Sequence, residues 1–201
     1  TIVLLSTATL KYNGTGKMIP SGCTVYCTNP RNVFTATKSN IEIDGNLYAD
    51  FTGEKNDGTK VLTTGLGGIV KENQQDKDTP KITPTQNITF GSGANVFIDG
   101  SIRAINLQVE DGANVYAKEN LFNNDNNGNA TINGNLYIGG FIKTRTLDVN
   151  GYLKAVEAVK VTNAFNVHNG ANVEASYINV TNNTKDGDKV IAKGEATLSL
   201  N

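Results

Sequence analysis

Apolar residues in this chain come in pairs split by a single residue. Ile41-x-Ile43, Ile88-x-Phe90, Leu107-x-Val109, Ala130-x-Ile132, Leu147-x-Val149 and Phe165-x-Val167 are such pairs. Each is followed by a glycine and then by a second pair of the same spacing. A period of two is strand spacing; helical faces repeat every three to four residues. The second pair belongs to a recurring phrase. Gly112-Ala-Asn-Val-Tyr-Ala117 is the clearest copy, and Gly93-Ala-Asn-Val-Phe-Ile98 and Gly170-Ala-Asn-Val-Glu-Ala175 are variants. Gly22-Cys-Thr-Val-Tyr-Cys27 carries cysteine in place of both alanines. A shorter form lacks two residues: Gly45-Asn-Leu-Tyr-Ala49, Gly134-Asn-Leu-Tyr-Ile138 and Gly151-Tyr-Leu-Lys-Ala155. Between the two apolar pairs the gap is four residues in the short form and six in the long. Both are even, so the same strand face stays inward.

The marker glycines fall at 22, 45, 93, 112, 134, 151 and 170, and all intervals but one run from 17 to 23 residues. A unit this short cannot bury its own apolar face, so copies must stack. The pattern predicts an all-β, single-domain parallel β-helix over residues 1–201, with about 17–23 residues per coil. Parallel crossovers favour the right-handed form. A β-sandwich closed by Asn-Gly and Asp-Gly hairpins is the structural rival, but it does not explain residue types recurring in register. The exceptional interval, Gly45 to Gly93, is 48 residues long. It predicts a polar excursion at about 52–86, containing Pro80 and Pro84, with Gly65-Leu-Gly-Gly-Ile-Val70 its apolar stretch. Smaller excursions are expected at 123–128 and 181–187. Ile2-Val-Leu-Leu5 and Ala196-Thr-Leu-Ser-Leu200 read as end strands that invite capping or end-to-end assembly.

Composition adds the need for many turns: 28 Asn and 21 Gly, with no Trp and one His. Net charge is −1, which argues against nucleic acid as a partner. No apolar run is long enough for a membrane helix, so no membrane insertion by this segment is expected. The chain begins at Thr1, so a preceding segment is expected. Cys23 and Cys27 stand where other copies carry Ala or Ile and read as two small core residues. In an extended strand their Cα atoms would lie roughly 13 Å apart, too far for a disulfide.

The position after the inward Val or Leu of each phrase points outward. Its occupants are Tyr26, Tyr48, Phe97, Tyr116 and Tyr137, then Lys154 and Glu174. Stacked coils would align them about 4.8 Å apart. Aromatic faces bind sugar rings, and tyrosine adds a polar handle. Tyr48, Phe97, Tyr116 and Tyr137 are therefore the candidate carbohydrate-binding residues. A self-stacking ladder, a strip covered by the excursion and a subunit interface are the other readings. Catalysis is not expected. Asp44, Asp99 and Asp111 each precede Gly, a turn-forming place. Arg103 and Arg145 have no carboxylate cluster beside them in sequence, and His168 stands alone beside a turn. No metal site and no cofactor are predicted. Of the outward Thr-x-Thr pairs that an ice-binding face needs, the middle of the chain offers Thr83-Pro-Thr85 and Thr144-Arg-Thr146, which lie outside the aligned phrase.

Copies such as Leu147-Asp-Val-Asn-Gly-Tyr-Leu-Lys-Ala155 resemble the short-coil solenoid of bactofilins, over residues 87–180. That resemblance implies polymerisation through solenoid ends; bactofilin coils, however, are uninterrupted. The Asn-rich coils with excursions also look like bacterial cell-surface solenoids. Among these, the tāpirins attach cells to cellulose through a β-helix domain. That likeness implies a non-catalytic adhesin at the cell surface or outside the cell, binding polysaccharide or another fibre component. The alternatives are a structural subunit that self-associates into filaments, and a polysaccharide lyase or hydrolase.

Overall fold

The computed structural model describes residues 1–5, 8–12, 14, 16–28, 33–36, 40–49, 69–70, 86–123, 128–181, 190–192 and 197–200. Among them every regular element is a strand, and the pairings are parallel with one exception. The chain is a parallel β-solenoid, and its strands fall on three faces.

The first face holds the first apolar pairs. Its strands are Asn40–Ile43, Asn87–Phe90, Leu107–Val109, Asn129–Ile132, the second half of Ile142–Val149, the end of Tyr152–Val167 and Val190–Ala192. The second face holds the recurring phrase. It stacks Ile2–Leu4, Thr24–Cys27, Asn46–Ala49, Asn95–Ile98, Asn114–Ala117, Asn135–Ile138, the starts of Tyr152–Val167 and Asn172–Val180, and Thr197–Leu200. The third face holds Ser101–Ala104, Leu121–Asn123, the start of Ile142–Val149, the middle of Tyr152–Val167 and the end of Asn172–Val180. Thr9–Tyr12 and Val33–Ala36 pair in a separate two-stranded sheet.

Register follows the phrase. Leu47 opposes Val96, Val96 opposes Val115, Val115 opposes Leu136, Leu136 opposes Leu153, and Leu153 opposes Val173. Alternation then puts one column of Val and Leu and one column of small or branched residues inside, from Cys27 and Ala49 to Ala175. Ile88, Phe90, Phe165 and Val167 close the core from the first face, and Ile102, Leu121 and Ile142 from the third. The long interval is one coil with an insertion, because Ile41 opposes Ile88 across it in unbroken register.

The predicted excursion lies outside the described residues except for Ile69–Val70 and Gln86. Ile69–Val70 pairs antiparallel with Ser101–Ile102, on the third face. The smaller excursions at 123–128 and 181–187 also lie outside the described residues, apart from Asn123, Gly128 and Thr181.

The two forms of the phrase use glycine for different physical reasons. In the long form, Ala94 N–H donates to Gly91 O at 3.0 Å and Ala113 N–H to Glu110 O at 3.1 Å. Gly93 and Gly112 stand third in these four-residue turns, with φ of +88° and +81°, as a type II turn requires. In the short form the constraint is contact with the coil below. A Cβ on Gly151 would lie 2.2 Å from Gly134 O, and one on Gly134 would lie 2.3 Å from Glu110 O. The tighter corner brings backbone against backbone, so any side chain prises the coils apart.

One expectation is corrected. Cys27 is buried, and burial pushes its thiol up to about 12. Cys23 is exposed, although Ala94 and Ala113 at the same place in the phrase are fully buried. Those alanines have a described coil on both sides. The turn of Cys23 has the Gly45 coil on one side and lies near the end of the described stack on the other. Both thiols are free.

The two glycine roles separate on substitution. Gly151→Ala is expected to cost about 3 kcal/mol or more, because backbone atoms must move. Gly93→Ala meets open space and should cost about 1–2 kcal/mol from its left-handed backbone alone. Urea unfolding of both variants measures the difference.

Candidate functional site

On the second face, alternate residues of each strand point outward in two parallel columns. Same-face neighbours in a strand are roughly 7 Å apart, so two columns leave a shallow trough between them. The column after the inward Val or Leu is the aromatic one. Cross-strand register aligns Tyr26 with Tyr48, Tyr48 with Phe97, Phe97 with Tyr116 and Tyr116 with Tyr137. The rings stack in two runs. Tyr26 and Tyr48 have centroids 5.0 Å apart with planes inclined by 13°. Phe97 and Tyr116 lie 5.1 Å apart at 2°, and Tyr116 and Tyr137 lie 4.8 Å apart at 17°.

All four predicted binding residues thus fall in one line, and Phe97 is 37% exposed with Tyr48, Tyr116 and Tyr137 half-buried. The described part of the excursion attaches on the third face, away from them. The ladder also changes what the column offers. Within each run the ring faces meet one another, so edges and hydroxyls turn outward. Faces uncovered by another ring remain where a run ends, at Tyr26 and Tyr48 and at Phe97 and Tyr137.

The second column consists of amides. Asn46 Nδ2 donates to Thr24 Oγ1 at 3.2 Å, Asn95 Nδ2 to Asn46 Oδ1 at 3.3 Å, and Asn114 Nδ2 to Asn95 Oδ1 at 3.4 Å. Asn135 Nδ2 continues the series to Asn114 Oδ1 at 2.9 Å. This column was not anticipated, because asparagine reads first as a turn former. Its signal was nonetheless present: Asn recurs immediately before the inward residue in five copies of the phrase, at 46, 95, 114, 135 and 172.

Between the columns runs a groove of about 340 Å³. Tyr48, Phe97, Tyr116 and Tyr137 line one side, and Asn95, Asn114 and Asn135 the other. Tyr152 interrupts the amide column between Asn135 and Asn172. Its hydroxyl donates to Glu174 Oε1 at 3.0 Å, while Lys154 Nζ lies 3.0 Å from Glu174 Oε2. The Lys154 ammonium, with help from the Tyr152 hydroxyl, holds the Glu174 carboxyl below the usual carboxylate range. Burial first, then the carboxylate, raises the Tyr152 phenol. This charged trio closes one end of a groove otherwise lined by uncharged side chains. Comparison with family models, curated proteins and solved structures returned no match.

The other candidates lie apart from the groove. Asp99 is buried, with Lys118 Nζ 3.0 Å from its Oδ1. Arg103 is buried with its guanidinium 4.4 Å from the centre of the Phe122 ring on the third face. His168 opens a turn, its Nε2 3.5 Å from Asp148 Oδ1. Asp44 and Asp111 stand in first-face corners. Among the described residues no three His, Cys, Asp or Glu side chains converge as metal ligands would.

Stacking makes the column's contribution to stability position-dependent. Tyr116 touches a ring on each side and Tyr26 on one side. Tyr116→Ala is expected to cost about 1–2 kcal/mol and Tyr26→Ala about half as much. Chemical unfolding of the two variants checks the ratio.

Proposed function

We propose that this chain is a non-catalytic adhesive solenoid, working at the cell surface or outside the cell, that binds an extended polysaccharide such as cellulose. The observation that carries the reading is the groove along the second face, with aromatic residues on one wall and amides on the other. Its repeat is the strand spacing, so each coil offers a ligand the same pair of groups. A linear polymer uses such a track; a compact small molecule uses little of it. Ring edges and the uncovered faces at Phe97 and Tyr137 supply apolar contact, and tyrosine hydroxyls supply polar contact. On this reading the tāpirin likeness describes the chain's way of working, and Tyr48, Phe97, Tyr116 and Tyr137 are the contact residues.

Retention on insoluble cellulose and related glycans tests the proposal. The Tyr116→Ala, Tyr137→Ala double variant should bind about tenfold more weakly than the parent. Equal retention by a folded double variant removes the aromatic column from the site.

A second reading, end-to-end assembly in the bactofilin manner, is favoured by one observation. Ile2 opposes inward Val25 but is 45% exposed, and among the described residues Ile2–Leu4 pairs along one edge. A half-exposed apolar edge strand recruits further strands. Val3→Lys should then abolish filaments seen by electron microscopy at high protein concentration. A strictly monomeric parent protein counts against assembly.

A further inference from the structure

The chemistry of the amide wall narrows the ligand beyond a generic polysaccharide. A side-chain amide has two N–H donors and an oxygen with two lone pairs. In Asn95, Nδ2 donates both to Asn46 Oδ1 and to Gly93 O, the latter at 3.2 Å. In Asn114 it donates both to Asn95 Oδ1 and to Gly112 O, each at 3.4 Å. The donors of these two exposed residues are therefore committed within the protein. Each oxygen accepts one bond from the next asparagine and keeps a lone pair. Asn135 keeps both lone pairs, since its register partner in the following coil is Tyr152 and not another amide, and one N–H beside the one it gives to Asn114 Oδ1. The amide wall faces the groove mainly with hydrogen-bond acceptors, three oxygens against the one N–H of Asn135.

An acceptor row needs a ligand that donates. Hydroxyl groups do so. Carboxylates cannot, and their charge is repelled by the same oxygens. The groove offers a carboxylate no compensating cation, because Lys154 is engaged by Glu174. We infer that the groove selects an uncharged, hydroxyl-rich glycan, that Asn95, Asn114 and Asn135 are its specificity-determining residues, and that the Tyr152–Lys154–Glu174 trio marks where the track ends. This inference rests on the polysaccharide reading above.

Affinity electrophoresis separates the two. The protein is run through native gels containing hydroxyethyl cellulose or carboxymethyl cellulose, which share a backbone and differ in charge, at low and at high salt. The neutral polymer should retard the parent chain to the same extent at both salt concentrations, and the carboxylated polymer about tenfold less. Asn114→Val with Asn135→Val removes both acceptors and should weaken retardation by the neutral polymer about tenfold. Valine has the branched shape of Thr24, which already caps this column, without the hydroxyl that accepts there. Should the double variant not fold, Asn114→Asp serves instead. It keeps the oxygen acceptors, so neutral retardation should stay within about threefold while the carboxylated polymer is rejected further.

Equal or stronger retardation by the carboxylated polymer overturns the acceptor-row inference and leaves the aromatic reading standing. So does a folded valine variant that binds like the parent. If neither cellulose derivative nor insoluble cellulose retains the parent chain, the polysaccharide reading itself falls.

Discussion

Strands of successive coils meet in parallel, and everything else in the molecule is arranged so that they meet residue for residue. Val96 must find Val115, and Val115 must find Leu136. A slip of one residue would turn the core column out and the asparagines and tyrosines in. The corners guard against such a slip. The long corner is held by its own turn hydrogen bond, and the short corner by backbone pressed on the coil below. In the short corner, Asn133 and Gly134 both donate to Val109 O, at 2.8 and 3.2 Å. Corners of two lengths thus deliver the same register, and coils of different length stack without a fault.

That register also accounts for the outer surface. Once inward positions are aligned, outward ones are aligned too, and like residues come into contact at strand spacing. Aromatic residues then stack and amides bond in series, each supporting the sheet beneath. On the proposed reading, stability and recognition draw on the same side chains. Stacking withdraws most ring faces from solvent, and serial bonding withdraws the amide donors. What is left for a ligand is a regular border of ring edges, hydroxyls and carbonyl oxygens.

Much of this was legible in the chain. Paired apolar residues around a glycine revealed two of the three faces and their register. The recurring phrase placed Tyr48, Phe97, Tyr116 and Tyr137 in one line. The third face was not legible, for a physical reason. Its outward positions include Phe122, and its inward ones include Asn123 and Thr144, which satisfy corner carbonyls at Asn129 and Gly128. Polar and apolar residues there exchange their usual places, so alternation fails as a signal. The exposure of Cys23 is not legible in the chain, because a phrase shows what a position can hold, not whether a neighbouring coil covers it. The phrase allows ring stacking as one reading among several; what stacking does to the ring faces follows from the geometry.

The amide column has one more property. Asn46, Asn95, Asn114 and Asn135 each donate towards the coil that precedes them. So do Asn87, Asn106 and Asn150 in the other serial pairs. Backbone hydrogen bonds between coils run both ways: Glu110 N–H points back to Phe90, and Ile88 N–H points forward to Asn106. The backbone dipoles largely cancel, as they do in sheets generally, but the side-chain dipoles add, as peptide dipoles do in a helix. The solenoid thereby acquires a vector, with its positive pole towards the first coils and its negative pole towards the last. A polymer lying in the groove, whose own two ends differ, would not find the two orientations equal in energy.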